Sequence, residues 1–186
     1  MISIDQSLSN CAITWWKEDT PVYKRVVQTG SIFSKEQKKC VRYFPIITQQ
    51  IDFICNEIVS DVLTHGAKIV VLEKPASNAF GNAKSALGIL FRAINETLLY
   101  KTNLTSSDIV SYSPTSVKSF ARGFLPEEEQ TINGKKLKME KKHMVRACQV
   151  VAPDGWLDGL TLAEGRADFA DSFWIGYKYL ESKKEK

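Results

Sequence analysis

Two short apolar runs, each closed by a carboxylate and separated by a long amphipathic stretch, constrain the fold of this chain more than any other feature. Met1-Ile2-Ser3-Ile4-Asp5 reads as one short strand, and Ile69-Val70-Val71-Leu72-Glu73 reads as another that Pro75 stops. Between them a helix is expected from Ser34, an N-cap with Gln37 at the capping-box position, to about His65 and Gly66, with a kink at Pro45. The order strand, long helix, strand implies a right-handed crossover and two parallel strands. Asp5 and Glu73 then share the carboxyl edge of one sheet, where open α/β folds place their functional crevices.

The remaining pattern completes an α/β chain. Cys11 to Trp16 and Tyr23 to Phe33 read as strands, giving an antiparallel meander with the first run. Phe80 to Tyr100 carries an apolar stripe, Phe80, Ala83, Leu87, Leu90, Phe91, Ile94 and Leu98, that should face the sheet. Ala86, Ile89 and Ala93 form a second, narrower strip, suited to core packing or to a dimer contact. Ile109 to Ser113 reads as a strand, followed by Pro114 and a short helix containing Val117, Lys118 and Phe120. An expanded basic loop over about 122–142, with a hairpin tip at Asn133-Gly134, precedes helices at Lys141 to Val151 and Glu164 to Leu180. With 186 residues, one domain spanning the whole chain is expected.

Bulk properties narrow the class further. Hydrophobic residues make up 44% and charged residues 25%, which suits a globular chain rather than a disordered or fibrous one. The net charge of +4 favours a polyanionic partner only weakly; the distribution says more. Lys135, Lys136, Lys138, Lys141, Lys142 and Arg146 crowd one stretch directly after Glu127, Glu128 and Glu129, as either a solvated loop or a set of phosphate contacts. Cys11, Cys40, Cys55 and Cys148 are scattered, and His65 and His143 lie near none of them in sequence, so a zinc site with closely spaced ligand pairs is disfavoured. No stretch has the length of a membrane span or the form of a signal peptide, so a soluble intracellular protein with reduced thiols and no membrane partner is expected.

Asp168 and Asp171 add the chemistry. Three apart in the helical segment Ala167-Asp168-Phe169-Ala170-Asp171-Ser172-Phe173-Trp174, they project from one face, beside aromatic neighbours that leave little of the helix polar. Four carboxylates gathered in one place repel one another, and hard divalent cations held by oxygen are the usual remedy. The set Asp5, Glu73, Asp168 and Asp171 therefore points to metal-dependent phosphodiester hydrolysis with two Mg2+ or Mn2+ ions.

Taken together, Ile4-Asp5, Leu72-Glu73, Asn82-Ala83-Lys84-Ser85-Ala86-Leu87, Ser116-Val117-Lys118, Lys142-His143-Met144-Val145 and Ala167-Asp168-Phe169-Ala170-Asp171-Ser172 resemble the motifs of RuvC-type Holliday junction resolvases over most of the chain. The resemblance implies a ribonuclease-H-like mixed five-stranded sheet flanked by helices, and a homodimer that nicks four-way DNA junctions symmetrically. It implies that the four acids bind metal and that Lys118 and Lys142 lie near the scissile phosphate, with Lys141 an equally placed substitute. Phe80 becomes the candidate aromatic wedge, and Lys84 joins Lys118, Lys135, Lys136, Lys138, Lys141, Lys142 and Arg146 as candidate DNA contacts. The family's Gly-Ile-Asp-Pro-Gly is replaced here by Ser3-Ile4-Asp5-Gln6-Ser7, and the loop after Glu73 is about two residues longer, which suggests a divergent, bacteriophage or viral branch. Rival readings are another ribonuclease-H-like nuclease acting on flaps, other branched DNA or RNA:DNA hybrids, and a non-catalytic junction-binding module. An actin-like or sugar-kinase-like ATP site would need a second Gly-rich phosphate loop, which the sequence lacks.

Overall fold

Alternating apolar residues near the amino terminus build an antiparallel meander of β1 (Ile2–Asp5), β2 (Asn10–Lys17) and β3 (Thr20–Ser31). The structure, a computed structural model, describes residues 1–38, 40–75, 82–161 and 165–184, with backbone alone for 82–85. A short strand β4 (Arg42–Phe44) runs parallel to β3 and leads into helix α1 (Ile47–His65). Strand β5 (Val70–Glu73) follows, then helix α2 (Asn82–Lys101), strand β6 (Ile109–Tyr112) and helix α3 (Pro114–Arg122). A two-stranded hairpin, β7 (Thr131–Ile132) with β8 (Lys135–Lys136), precedes α4 (Lys141–Val151) and α5 (Arg166–Lys184).

The main sheet has the order β4-β3-β2-β1-β5-β6, with β5 parallel to both β1 and β6. It has six strands where the sequence led us to expect five. The extra strand, β4, lies in the segment read as the first turns of the long helix. Pro45 bars a continuous helix there because it lacks an N–H and disfavours helical backbone in the residue before it. Arg42, Tyr43 and Phe44 instead pair with Thr29, Gly30 and Ser31, and α1 begins only at Ile47. Gly66, at φ +62°, ends α1 in the left-handed conformation expected of a helix-stopping glycine.

The sheet is covered on both faces, which explains the unbroken apolar run of β5. Ile2, Ile4, Cys11, Ile13, Val70 and Leu72 pack toward α1 and α2, while Ala12, Trp16 and Val71 pack among residues of α3, α4 and α5. Leu90, Ile94 and Leu98 of the expected α2 stripe are fully buried, whereas Ile89 of the second strip stays exposed. The 122–142 region is more ordered than a loop: a 3₁₀ turn at Glu127–Glu129 leads to the hairpin, whose Asn133 and Gly134 take φ of 51° and 72°. Positive φ at both central residues is the twist-matched turn that Asn-Gly favours. All four cysteines are free. Among the described residues no helix is long and apolar enough to cross a membrane.

Candidate active site

Strand parity sets the first two acids. Side chains alternate across a strand, so Asp5 shares a face with Ser3, and Glu73 shares one with Val71, both toward α5. Ile4 is the register partner of Leu72, which puts Asp5 beside Glu73 across one inter-strand spacing of about 4.8 Å. Gln6 fixes that placement: its amide Nε2 donates to the carbonyl of Glu73, and its Oε1 accepts from the Glu73 N–H at 3.2 Å. One side chain thus extends the ladder past the end of β1 and ties the two acid-bearing strand ends together.

Helix α5 delivers the other two acids and is seated by a buried polar network. Ser3 Oγ donates to the carbonyl of Ser172 at 2.7 Å, Thr14 Oγ1 and Ser172 Oγ lie 2.7 Å apart, and the Trp16 indole donates to Ser3 Oγ at 2.8 Å. Gly176 permits the close approach, because a Cβ there would come within 2.4 Å of Trp16 Nε1 and 2.6 Å of Ser3 Oγ. Ser172 directly follows Asp171, so the anchor of the helix adjoins the acid it positions. The signal was visible in sequence as Ser3 and Thr14, polar residues inside otherwise apolar strands, but their partner lies some 160 residues away and could not be read from it.

The four acids lie within one another's field. Burial pushes the Asp5 carboxyl well above the usual carboxylate range, and Asp171, Glu73 and Asp168 push it further. Asp171 is pushed up to about 7, first by burial and then by Glu73, with Lys118 and Lys141 opposing. Glu73 is also raised by burial, against the pull of Lys118. Two like charges 4 Å apart repel by about 4 kcal/mol at an effective dielectric constant near 20, so such a group holds protons unless cations replace them.

Lysines approach from two sides. Lys141, at the first turn of α4, pairs with Asp168 at 3.2 Å; burial works to lower its pKa, but Asp168, Asp171 and Asp5 together raise it. The Trp174 indole donates to the Met144 carbonyl at 3.0 Å and so locks α4 to α5. Lys118, from α3, lines a cavity of about 90 Å³ with Glu73, Asp171, Pro114, Val117, Met144 and Ile175. Lys142, favoured from sequence, is placed differently: it is exposed and lies 3.9 Å from Glu140, so the adjacent Lys141 is the residue at the acids. A one-residue shift on a helix turns a side chain by about 100°, which accounts for the difference.

The donor set fits hard divalent cations. All four candidate ligands are oxygen donors, and Asp171 Oδ1 is buried with no hydrogen-bond partner among the described residues. The cavity beside it has the volume of about three waters. Among the described residues no three acidic, histidine or cysteine side chains are already gathered as a ready-made cage. Of the other expected contacts, Lys135 and Lys136 stand on β8, Lys138 is exposed beyond it, and Arg146 pairs with Glu129 at 3.4 Å. Phe80 and the Lys84 side chain lie outside the described residues.

A mixed sheet with three antiparallel strands first, parallel strands after a helical crossover, and acids on β1, β5 and α5 defines a ribonuclease-H-like fold. The fold is similar to those of solved RuvC-type Holliday junction resolvases. RuvC of Thermus thermophilus, solved in complex with a Holliday junction substrate, superposes with a TM-score of 0.62 at 10% identity, over 99% of this chain and 96% of that one. Another Thermus thermophilus RuvC structure gives 0.58 at 12% identity, over 100% and 97%. The yeast mitochondrial Holliday junction resolvase Ydc2 gives 0.61 at 12% identity, over 99% and 79%. No family model and no curated protein matches the sequence. At these identities the likeness is one of fold.

Proposed function

We propose that this protein is a metal-dependent endonuclease that resolves four-way DNA junctions by paired, symmetric nicks, acting as a homodimer inside the cell. The observation that carries the reading is the convergence of Asp5, Glu73, Asp168 and Asp171, from two strand ends and one helix, on a single sheet edge, with an unsatisfied buried oxygen on Asp171. The likeness in fold to junction resolvases supports the choice of substrate over flaps or RNA:DNA hybrids.

Asp5, Glu73, Asp168 and Asp171 are the residues that would hold two divalent cations. When bound, such ions supply charge neutralisation, a nucleophilic water and stabilisation of the leaving 3′ oxygen, leaving 5′ phosphates. The chain's own groups set the stage for this. Asp5, whose carboxyl feels the charge of Asp171, Glu73 and Asp168, would be one of the residues holding the cations. Gln6 holds Asp5 and Glu73 in fixed register, and the Ser3–Thr14–Ser172 network holds Asp171. Lys118 and Lys141 place positive charge beside the acids, where a phosphate diester enters. Lys135, Lys136, Lys138, Lys142 and Arg146 add a sequence-independent backbone grip, and Lys84 and Phe80 belong to the same expected DNA surface.

The test is cleavage of end-labelled four-way junctions, with linear duplex, flap and RNA:DNA hybrid controls, in Mg2+, Mn2+ or chelator. Paired metal-dependent nicks confined to the junction are expected. Asp5→Asn should lower cutting by at least about 10³-fold while leaving junction binding within a few-fold, since a neutral amide keeps shape but loses the ligand charge. Preferential cutting of hybrids would keep the acid site and discard the junction.

A further inference from the structure

The acid edge of the sheet is not level. Asp5 pairs with Ala12, and Ala12 pairs with Val26, so Val26 marks the height of Asp5 on β3. Strand β3 continues from there to Ser31, in the same direction as β1, with its last three residues paired to β4. Five further residues at about 3.3 Å each make an arm that rises about 17 Å beyond the acids. Two inter-strand spacings separate it sideways from β1, so its tip lies about 20 Å from Asp5.

At that tip sits Phe33, with 79% of its surface exposed. Its surroundings are ordered. The Phe33 N–H donates to Ser31 Oγ at 3.2 Å, the Ser34 N–H to the Ser31 carbonyl at 2.9 Å, and the Lys38 N–H to the Tyr43 hydroxyl at 2.7 Å. Gly30 lets Tyr43 lie flat on the arm, since a Cβ there would meet the ring at 2.8 Å. Below, the Arg42 guanidinium stacks 4.5 Å over Phe53 of α1, and Phe44 packs on the same ring at 5.4 Å. The fold therefore braces an arm whose end presents a nearly bare aromatic ring. The charge around that ring is one-sided: among the described residues of 33–44, Lys35, Lys38 and Arg42 stand against Glu36 alone. Lys35, Lys38 and Arg42 are exposed. Tyr100, the other highly exposed aromatic among the described residues, closes α2 just ahead of β6 and so belongs to the far end of the sheet.

We propose that the β3–β4 arm is a second nucleic-acid contact, in which Phe33 stacks on an unpaired base of the branched substrate while Lys35, Lys38 and Arg42 hold the adjoining phosphates. An exposed ring among cations is the composition that single-stranded nucleic acid selects, because every base offers a π face and every linkage a negative charge. The site rests on the nuclease reading, and it specifies the substrate more narrowly: DNA with an unstacked base about 20 Å from the phosphate at the acids, a span of about six nucleotide steps.

The experiment uses the full chain carrying Asp5→Asn, in Mg2+, with four-way junctions bearing 2-aminopurine singly at each position within seven nucleotides of the branch. A position-specific fluorescence change is expected at one site, lost in the Phe33→Ala double variant and retained in Phe33→Trp. Junction affinity should fall about tenfold with Phe33→Ala while linear-duplex affinity stays within twofold, the size expected for one base–aromatic stack. Unchanged affinity and fluorescence in the alanine variant would overturn the proposal and leave the nuclease reading intact. A changed sedimentation coefficient of DNA-free protein would assign the ring to a second copy of the chain and also overturn it. Failure of the Asp5→Asn parent to bind any branched DNA would remove the nuclease reading itself, and this inference with it.

Discussion

Asp171 is the residue on which the electrostatics turn. Its carboxyl binds a proton up to about pH 7 in the folded protein, whereas an unfolded aspartate releases it near pH 4. The folded state therefore holds more protons between those limits, and stability falls as pH rises through that window. Metal-free protein should melt at lower temperature at pH 7.5 than Asp171→Asn, with the difference vanishing below about pH 4.5. Each kcal/mol of relieved repulsion amounts to about 2–4 °C in a chain of this size. Added Mg2+ should raise the melting point of the native protein and not that of the variant; scanning calorimetry across pH, with and without chelator, reads both. The acids themselves were legible in sequence because each closes an apolar run or shares a helix face. Gln6 was not, since its meaning depends on Glu73 lying alongside, a fact of pairing rather than of local pattern.

At the scale of elements, the close seat of α5 on β1 and β2 positions two of the four acids. Gly176→Ala should force the helix outward against Trp16 and Ser3, at a cost of about 1–3 kcal/mol. The same displacement moves Asp168 and Asp171, so apparent metal affinity should weaken together with the denaturation midpoint, a pairing that urea melts and Mn2+ titration will detect. Retained metal affinity in a destabilised variant would separate the seat from the site. Periodicity served well where one period ruled an element: the α2 stripe is buried at Leu90, Ile94 and Leu98. It failed over residues 34–46, where capping signals at Ser34 and Gln37 suggested helix but Pro45 and pairing to β3 prevailed. The hairpin tip was legible at Asn133-Gly134 because its turn chemistry is local.

For the whole molecule, charge arrangement predicts how the proposed DNA binding responds to salt. Lys135 and Lys136 stand exposed on the hairpin that leads into α4, and Lys141 of that helix reaches Asp168. If each contacts one phosphate, the Lys135→Ala/Lys136→Ala variant should lower the slope of log affinity against log salt by about 2 while leaving the position of the nicks unchanged. Filter binding from 50 to 300 mM salt will show it, and an unaltered slope would assign the hairpin another role. The order of the chain carries one more consequence. Asp5 lies on the first strand, while Asp168 and Asp171 arrive on α5, more than 160 residues later. A ribosome adding about 5–20 residues per second needs roughly ten to thirty seconds to bridge that interval. Throughout it, the nascent chain already displays Asp5 but lacks the helix that completes the acid set. On the nuclease reading proposed above, chains cut short before α5 are expected to leave DNA uncut.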